Sequence, residues 1–495
     1  MYRINEIKLG PYESSKKIPD IIRRSLGERD LVMKNMKVVR ESIDARRGKV
    51  KRVFTVDFDA NMNLDLPEAP DMTYKYVETS GSPERPVIVG FGPCGIFCGL
   101  ILAQMGFCPI IIERGKESSE RTKDVQDFWA GGSLNPESNV QFGEGGAGAF
   151  SDGKLTTGIK DSRIRKVLEE LVESGGDKEI LVKKKPHIGT DKLKGIIRNI
   201  RKRITELGGE VRFESKFTGF HREENGDITV VVNDRCEIRT RDLVLATGHS
   251  ARDTFCMLKD MGLDIVQKPF SMGVRVQHPQ SLINRVQYGD EALAEVLGPA
   301  EYKLSCHTRE KRGVYTFCMC PGGEVILASS EAGGVVTNGM SYHARNGKFA
   351  NSGLLVDVRC SDFESGDVLA GVDFQRKYEK LAYEKAGGYN LLKTDWGNFT
   401  TSAVKECLPE FVTESLVEAM PYLGRKLRGF DDGRTMIFGV ETRSSSPVRF
   451  LRNENFMSNI EGIYPSGEGA GHAGGIVSAG VDGIKVAEQI ALRYK

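Results

Sequence analysis

The sequence predicts an α/β protein in which a parallel-sheet domain is interrupted by an inserted α+β cap and preceded by a small α+β module. Three observations carry this. An uncharged apolar stretch over 86–112 divides into strand, glycine turn, helix and strand; hairpin signals dominate 267–434; and residues 435–495 return to strand, glycine turn and helix.

The 39% hydrophobic and 28% charged residues allow a sizeable core and exclude disordered and fibrous classes. The 70 Lys plus Arg against 68 Asp plus Glu leave a net charge of +2, so no global field steers nucleic acid or acidic ligands to the chain. The 10 cysteines form no dense framework and the first residues show no charged-then-apolar leader, so a reducing cytoplasm is expected. Residues 86–112 are long enough to cross a bilayer, but Gly90, Gly92, Gly95, Gly99 and Gly106 cut them into pieces too short to span one. A buried βαβ unit is expected instead.

The expected order is an N-terminal module (1–80), the first part of the parallel-sheet domain (81–266), the cap (267–434) and the return (435–495). In the module, a strand near 2–7, a helix over 15–26 and strands over 36–43 and 50–58 are expected, with a turn at 45–49. Residues 1–60 hold 15 Lys plus Arg and 9 Asp plus Glu. That excess is either a solvated face or a contact for RNA or another acidic partner. A Ser, Gly and Pro-rich linker is expected at 77–86. Helices follow over 161–173 and 190–207, and strands over 210–213 and 242–245. Within the cap, Pro321-Gly322-Gly323 is expected to turn a hairpin, with helices over 374–384 and 411–419. A last helix over 478–494 is expected to close against the first domain.

The chemistry begins at Val87-Ile88-Val89-Gly90-Phe91-Gly92-Pro93-Cys94-Gly95, a G-x-G-x-x-G pattern between an apolar strand and a helix, with Glu113 ending the next strand. Gly90 permits the sharp turn, Gly92 lets backbone approach a pyrophosphate, and Gly95 with Gly99 lets the helix lie close on the sheet. The helix start offers unpaired N–H groups to phosphates. Glu113 can accept both hydroxyls of an adenosine ribose and repels a 2′-phosphate, which favours FAD or NAD over NADP. The bare spacing recurs at 143–148 and 469–474, without the helix and second strand that make the first match specific.

FAD is preferred over NAD because of the strand, Gly467, Glu468 and glycine turn far downstream. The ribityl chain and ring of FAD extend beyond one βαβ unit, so Glu468 can hold a ribityl hydroxyl. The helix start at 471–476, including Gly474, Gly475 and Ile476, can aim N–H groups at the flavin pyrimidine edge.

Together with Leu245-Ala246-Thr247-Gly248, these motifs resemble the glutathione-reductase-type flavoprotein superfamily, with a Rossmann-like FAD-binding domain. The runs 141–155, 316–323 and 441–449 resemble, more narrowly, bacterial FAD-dependent proteins described as NAD(FAD)-utilising dehydrogenases. The resemblance spans nearly the whole chain. It implies that Gly90, Gly92, Pro93, Cys94, Gly95, Glu113 and Arg114 bind the ADP half, with Ala246, Thr247 and Gly248 passing close and Phe217 near adenine. It also implies that the loop containing Gly145, Gly146 and Lys154 lies beside the pyrophosphate and ring. Glu468 stands where many members have Asp, a longer reach to the same hydroxyl.

Lys154 either approaches flavin N5 or an anionic substrate, or is a surface or phosphate-pairing lysine. Arg443, in a polar run near the glycine return, is either an anion clamp at the ring or an ordinary arginine at a helix cap. His249 and His472 adjoin the motifs and can orient a substrate or donate a proton. Cys94 and Cys98 face the packing side of the first helix. Cys318 and Cys320 alternate onto one strand face, near Cys306 and His307; packing, thiol redox and metal binding are the three readings, and no standard zinc spacing is present. The expected function is an FAD-dependent oxidoreductase passing hydride through flavin N5 to or from a small-molecule substrate, with NAD(P)H as a transient reductant. The alternative is a flavin-binding RNA-associated or regulatory protein that uses the basic module.

Overall fold

The computed structural model describes residues 1–46, 49–80 and 84–495. Part of the turn expected at 45–49 and part of the linker expected at 77–86 lie outside the described residues.

The N-terminal strands are Tyr2–Leu9, Met33–Asp44 and Lys51–Ala60, antiparallel with the last in the centre. Their apolar faces bury Ile7, Leu9, Phe54 and Val56 against Ile18 and Ile22 of the helix Ile18–Leu26. Proline in the first turn and Gly27 at φ 75° bound that helix, as short amphipathic helices require.

Five short parallel strands follow in the order Ile463–Pro465, Leu243–Leu245, Val87–Val89, Ile110–Ile112 and Glu210–Arg212. The central strands read as unbroken apolar runs because both faces are covered. One cover is a pair of helices, Pro93–Gln104 and Ile476–Leu492, which approach so closely that a Cβ on Gly483 would lie 2.2 Å from the Cys94 carbonyl oxygen. An antiparallel sheet of Phe217–Arg222, Ile228–Val232 and Cys236–Thr240 lies on the other side, its buried Phe217, Ile228 and Val230 sharing a core with Val87 and Leu243.

A six-stranded antiparallel sheet forms the second large layer. Its order is Ser305–His307, Gly313–Cys320, Phe349–Val358, Phe270–Pro279, Met436–Glu441 and Leu392–Asp395. Helices Ala370–Ala386 and Glu410–Lys426 pack on it. Two expectations change here. Strand Met436–Glu441 pairs with Phe270–Pro279, so the cap sheet reaches past 434. Pro321-Gly322-Gly323 does not turn a hairpin: strand Glu324–Leu327 leaves the large sheet and pairs with Thr337–Met340. Gly322, at φ 56°, is pressed against the Arg345 carbonyl, 2.0 Å from where its Cβ would be, and this close packing diverts the chain.

The protein is thus a mixed α/β structure with parallel and antiparallel sheets. Among the described residues, no helix is long and apolar enough to cross a membrane.

Candidate functional site

The parallel sheet positions the glycine turn. Gly90 leaves strand Val87–Val89 at φ +101°, a value that side chains disfavour, and a Cβ there would lie 2.4 Å from the Ala246 carbonyl oxygen. A Cβ on Gly95 would meet the Gly90 oxygen at 1.9 Å, and one on Gly99 would meet Ile111 Cδ1 at 2.4 Å. Helix Pro93–Gln104 therefore sits on the sheet only because both positions lack side chains. Gly92 differs: its Cβ would meet only Gly146 Cα, at 3.7 Å, beside an open cavity. Gly92 caps the helix without a side-chain bond, leaving first-turn N–H groups for a ligand.

The Glu113 carboxylate accepts the N–H of Phe91 at 2.8 Å and those of Gly115 and Gly143 at 2.9 Å. It thereby ties the glycine turn to the following loop while remaining on the cavity wall. A carboxylate offers roughly four acceptor sites, so capacity for a ribose hydroxyl is left.

Glu113, Arg114, Phe217, Gly90, Gly92, Pro93 and Lys154 line one cavity. Cys94, Gly146, Ala246, Thr247, Gly248, Glu468, Gly474, Gly475 and Ile476 line it too. Arg114 is held by Glu137 at 2.6 Å and Asp253 at 2.8 Å. Four expected residues are off the wall. Gly95 is behind the turn; the Gly145 N–H bonds the Phe91 carbonyl at 2.9 Å; and Gly467 packs on Cys94 while its N–H bonds Asp482 at 2.7 Å. His472 Nε2 pairs with the Phe450 carbonyl at 2.9 Å and lies off the cavity wall, whereas His249 is on it. The turn at Gly471, φ +80°, sends His472 toward strand Val448–Phe450.

Glu468 supplies the test of fit for FAD. Its side chain makes no hydrogen bond among the described residues, and burial pushes its carboxyl up to about 7, opposed only by Lys268. A carboxylate without a protein partner, on the same wall as an uncapped helix start, suits a hydroxylated ligand that also carries phosphates.

Lys154 Nζ lies 2.9 Å from Asp152 and 3.7 Å from Glu301, and it donates to the Met319 carbonyl. Burial lowers its pKa, and the two carboxylates more than offset that, so the ammonium is held charged. Arg443 is on the wall too, but its guanidinium is bound by Glu379 at 2.6 and 3.0 Å and by Ser250 at 3.1 Å. Of the two readings of Arg443, an anion clamp or an ordinary arginine at a helix cap, neither describes its contacts: it is a buried cation paired with Glu379. Glu379 also takes Arg252 at 2.7 and 2.8 Å. Burial, then Arg443 and Arg252, push the His249 imidazole down to about 3, so it is neutral at physiological pH.

Cys318 and Cys320 do not simply alternate. A register break between Phe317 and Cys320 and a φ of +42° at Cys318 accompany the placing of both residues on the cavity wall, Cys320 buried and Cys318 exposed. Cys306 and His307 pair with Val314 and Gly313, toward the other end of the strand, and do not join them.

Sequence reasoning missed several wall residues. Glu441 holds Arg275 at 2.8 and 2.9 Å, and Gln141 Oε1 and Thr337 Oγ1 are buried without a partner among the described residues. Gln141 and Glu441 open the runs 141–155 and 441–449 that carry the family resemblance, but no local signal assigns either a role, and none marks Thr337.

Residues 269–444 match the family of FAD-dependent proteins at their C-terminal-like domain, and residues 1–59 match a domain of unknown function. The FAD expected from the glycine motifs is the cofactor that the first match carries. A protein of Clostridium beijerinckii, described as uncharacterized, is 44% identical over 527 aligned positions, which cover 99% of each chain. Among solved structures, CtdE in complex with FAD is 13% identical with a TM-score of 0.33, covering 83% of this chain and 90% of that one. Aklavinone-11 hydroxylase with FAD and aklavinone is 13% identical with a TM-score of 0.38, covering 83% and 62%. The chain belongs to the family of the Clostridium beijerinckii protein and carries the C-terminal-like domain of FAD-dependent proteins.

Proposed function

We propose that this chain is an FAD-dependent oxidoreductase that acts on a small-molecule substrate, with NAD(P)H as a transient reductant. The observation that carries the reading is one continuous cavity joining an uncapped helix start at Gly92 to the unpartnered Glu468 carboxylate. In this reading Gly90, Gly92 and Glu113 would hold the ADP half of FAD, and Glu468, Ile476 and Lys154 would serve its ribityl and ring portion, as the resemblance to the glutathione-reductase-type proteins implies. When bound, the cofactor supplies hydride transfer at flavin N5.

The chain supplies position and field. The start of helix Ile476–Leu492 has no side-chain cap, so its N–H groups would favour negative charge gathered on a flavin upon reduction. Lys154, charged because Asp152 and Glu301 hold it so, adds a second positive group. Gln141 and Thr337 offer unpaired polar atoms to a substrate above the ring.

Purified protein should be yellow, and anaerobic NADH or NADPH should bleach the flavin band. A preparation that stays colourless after incubation with excess FAD overturns the reading. Flavin that neither nucleotide bleaches removes the nicotinamide part alone.

A further inference from the structure

We propose that Cys318 and Cys320 form a dithiol/disulfide couple that exchanges an electron pair with the flavin, a function that rests on the reading of the cavity given above. Strand Gly313–Cys320 follows its partner Phe349–Val358 in register up to Phe317, then breaks. Cys318 takes φ +42°, which residues with a Cβ seldom adopt and which gathers at functional positions. The consequence is chemical, since both thiols reach the wall that also carries Lys154.

Their backbone is held from two sides by cations. Arg275 Nη2 donates to the Cys318 carbonyl at 2.6 Å and lies 3.5 Å from Cys320 Sγ. Lys154 Nζ donates to the carbonyl of Met319, between the two cysteines. Cys320 Sγ itself donates to the Cys318 carbonyl at 3.3 Å, so the pair is folded back on one short loop. Burial pushes the Cys318 thiol up to about 12 and raises Cys320, while Arg275 and Lys154 act in the opposite direction on both. Arg275 and Lys154 thus favour the thiolate that a departing proton leaves behind, against the burial that disfavours it.

In the oxidising direction both S–H bonds break and one S–S bond forms. Two protons leave, and the electron pair passes to oxidised flavin, with one proton taken up at N5. The reverse reaction opens the disulfide. Cys94 is also on the wall, but it is buried and its Sγ is paired with Ser466 Oγ at 3.0 Å; Cys98 is buried in the helix packing, and Cys108 and Cys236 are exposed away from the cavity wall.

The test uses holoprotein oxidised with diamide, desalted and titrated anaerobically with dithionite while the flavin band is followed. Wild type should take up one more electron pair per flavin than Cys318→Ser or Cys320→Ser, and Cys108→Ser should match wild type. Mass spectrometry of the wild-type peptide that spans both cysteines needs no variant. It should be lighter by two hydrogens after oxidation and regain them when the flavin is reduced. Yellow protein with no extra electron pair and an unchanged peptide overturns the couple while leaving the flavin reading intact. Protein that never takes up FAD overturns both.

Discussion

A methyl group at Gly92 separates the folded chain's needs from the ligand's. The Cβ of Gly92→Ala would stand 3.7 Å from Gly146 Cα, ordinary contact, and the backbone there, φ −84° and ψ −176°, suits alanine. The apoprotein should therefore fold as well as wild type, or gain about 0.4–1 kcal/mol through a less free unfolded chain. The same methyl points into the space assigned to the pyrophosphate. Crowding of one methyl into a close-packed site costs about 1–3 kcal/mol. At about 1.4 kcal/mol per tenfold, FAD should bind roughly 5- to 150-fold more weakly. Fluorescence-quench titration of apoprotein with FAD reads the affinity, and the urea midpoint reads stability. Gly90→Ala is the contrast: at φ +101° and 2.4 Å from the Ala246 oxygen, its methyl should lower both. Wild-type FAD affinity in Gly92→Ala would refute the placement of the diphosphate.

Glu379→Gln should cost about 3–5 kcal/mol in urea unfolding, because it leaves Arg252 and Arg443 buried with a weakened partner. Burial opposes ionisation of Glu379, but the two guanidinium groups more than offset it and hold the carboxyl well below its usual range. Its contribution is thus present above the unfolded value of about 4.3 and lost as pH falls through the folded one, so the variant should show a shallower acid limb. Glu468 has the opposite sign: with its folded carboxyl near 7, apoprotein should lose stability as pH rises from about 4.3 to about 7, and Glu468→Gln should flatten that slope in urea midpoints taken across the window. Gly483→Ala should destabilise the fold by about 1–3 kcal/mol and bleed flavin on gel filtration, since its methyl would overlap the Cys94 carbonyl of the facing helix.

The parts legible in the sequence are those whose contacts are local. The strand, glycine turn, helix and strand over 87–112 form one continuous unit, so residue order alone shows its geometry. The closing helix was legible from its apolar composition, and Glu468 from the turn around it. Pairings across hundreds of residues were not. Arg275 with Glu441, and Arg252 with Glu379, are separated by 166 and 127 positions, and nothing near either residue signals its partner. Pro321-Gly322-Gly323 shows that the chain bends, but the strands that pair beyond it are chosen by packing. The left-handed backbone at Cys318 is invisible in a run that otherwise alternates like a plain strand. The two readings of Arg443 could not be decided because its counter-charge, Glu379, is 64 positions away on a separate helix.

The helix Ile476–Leu492 is locked to Pro93–Gln104, so the two halves of the proposed flavin seat come from segments far apart in the sequence. During synthesis the first of these helices leaves the ribosome well before the second. Capture of the dinucleotide is then expected only after the later helix has emerged and docked. A single nick near residue 460 should bleach the protein while its large antiparallel layer stays folded.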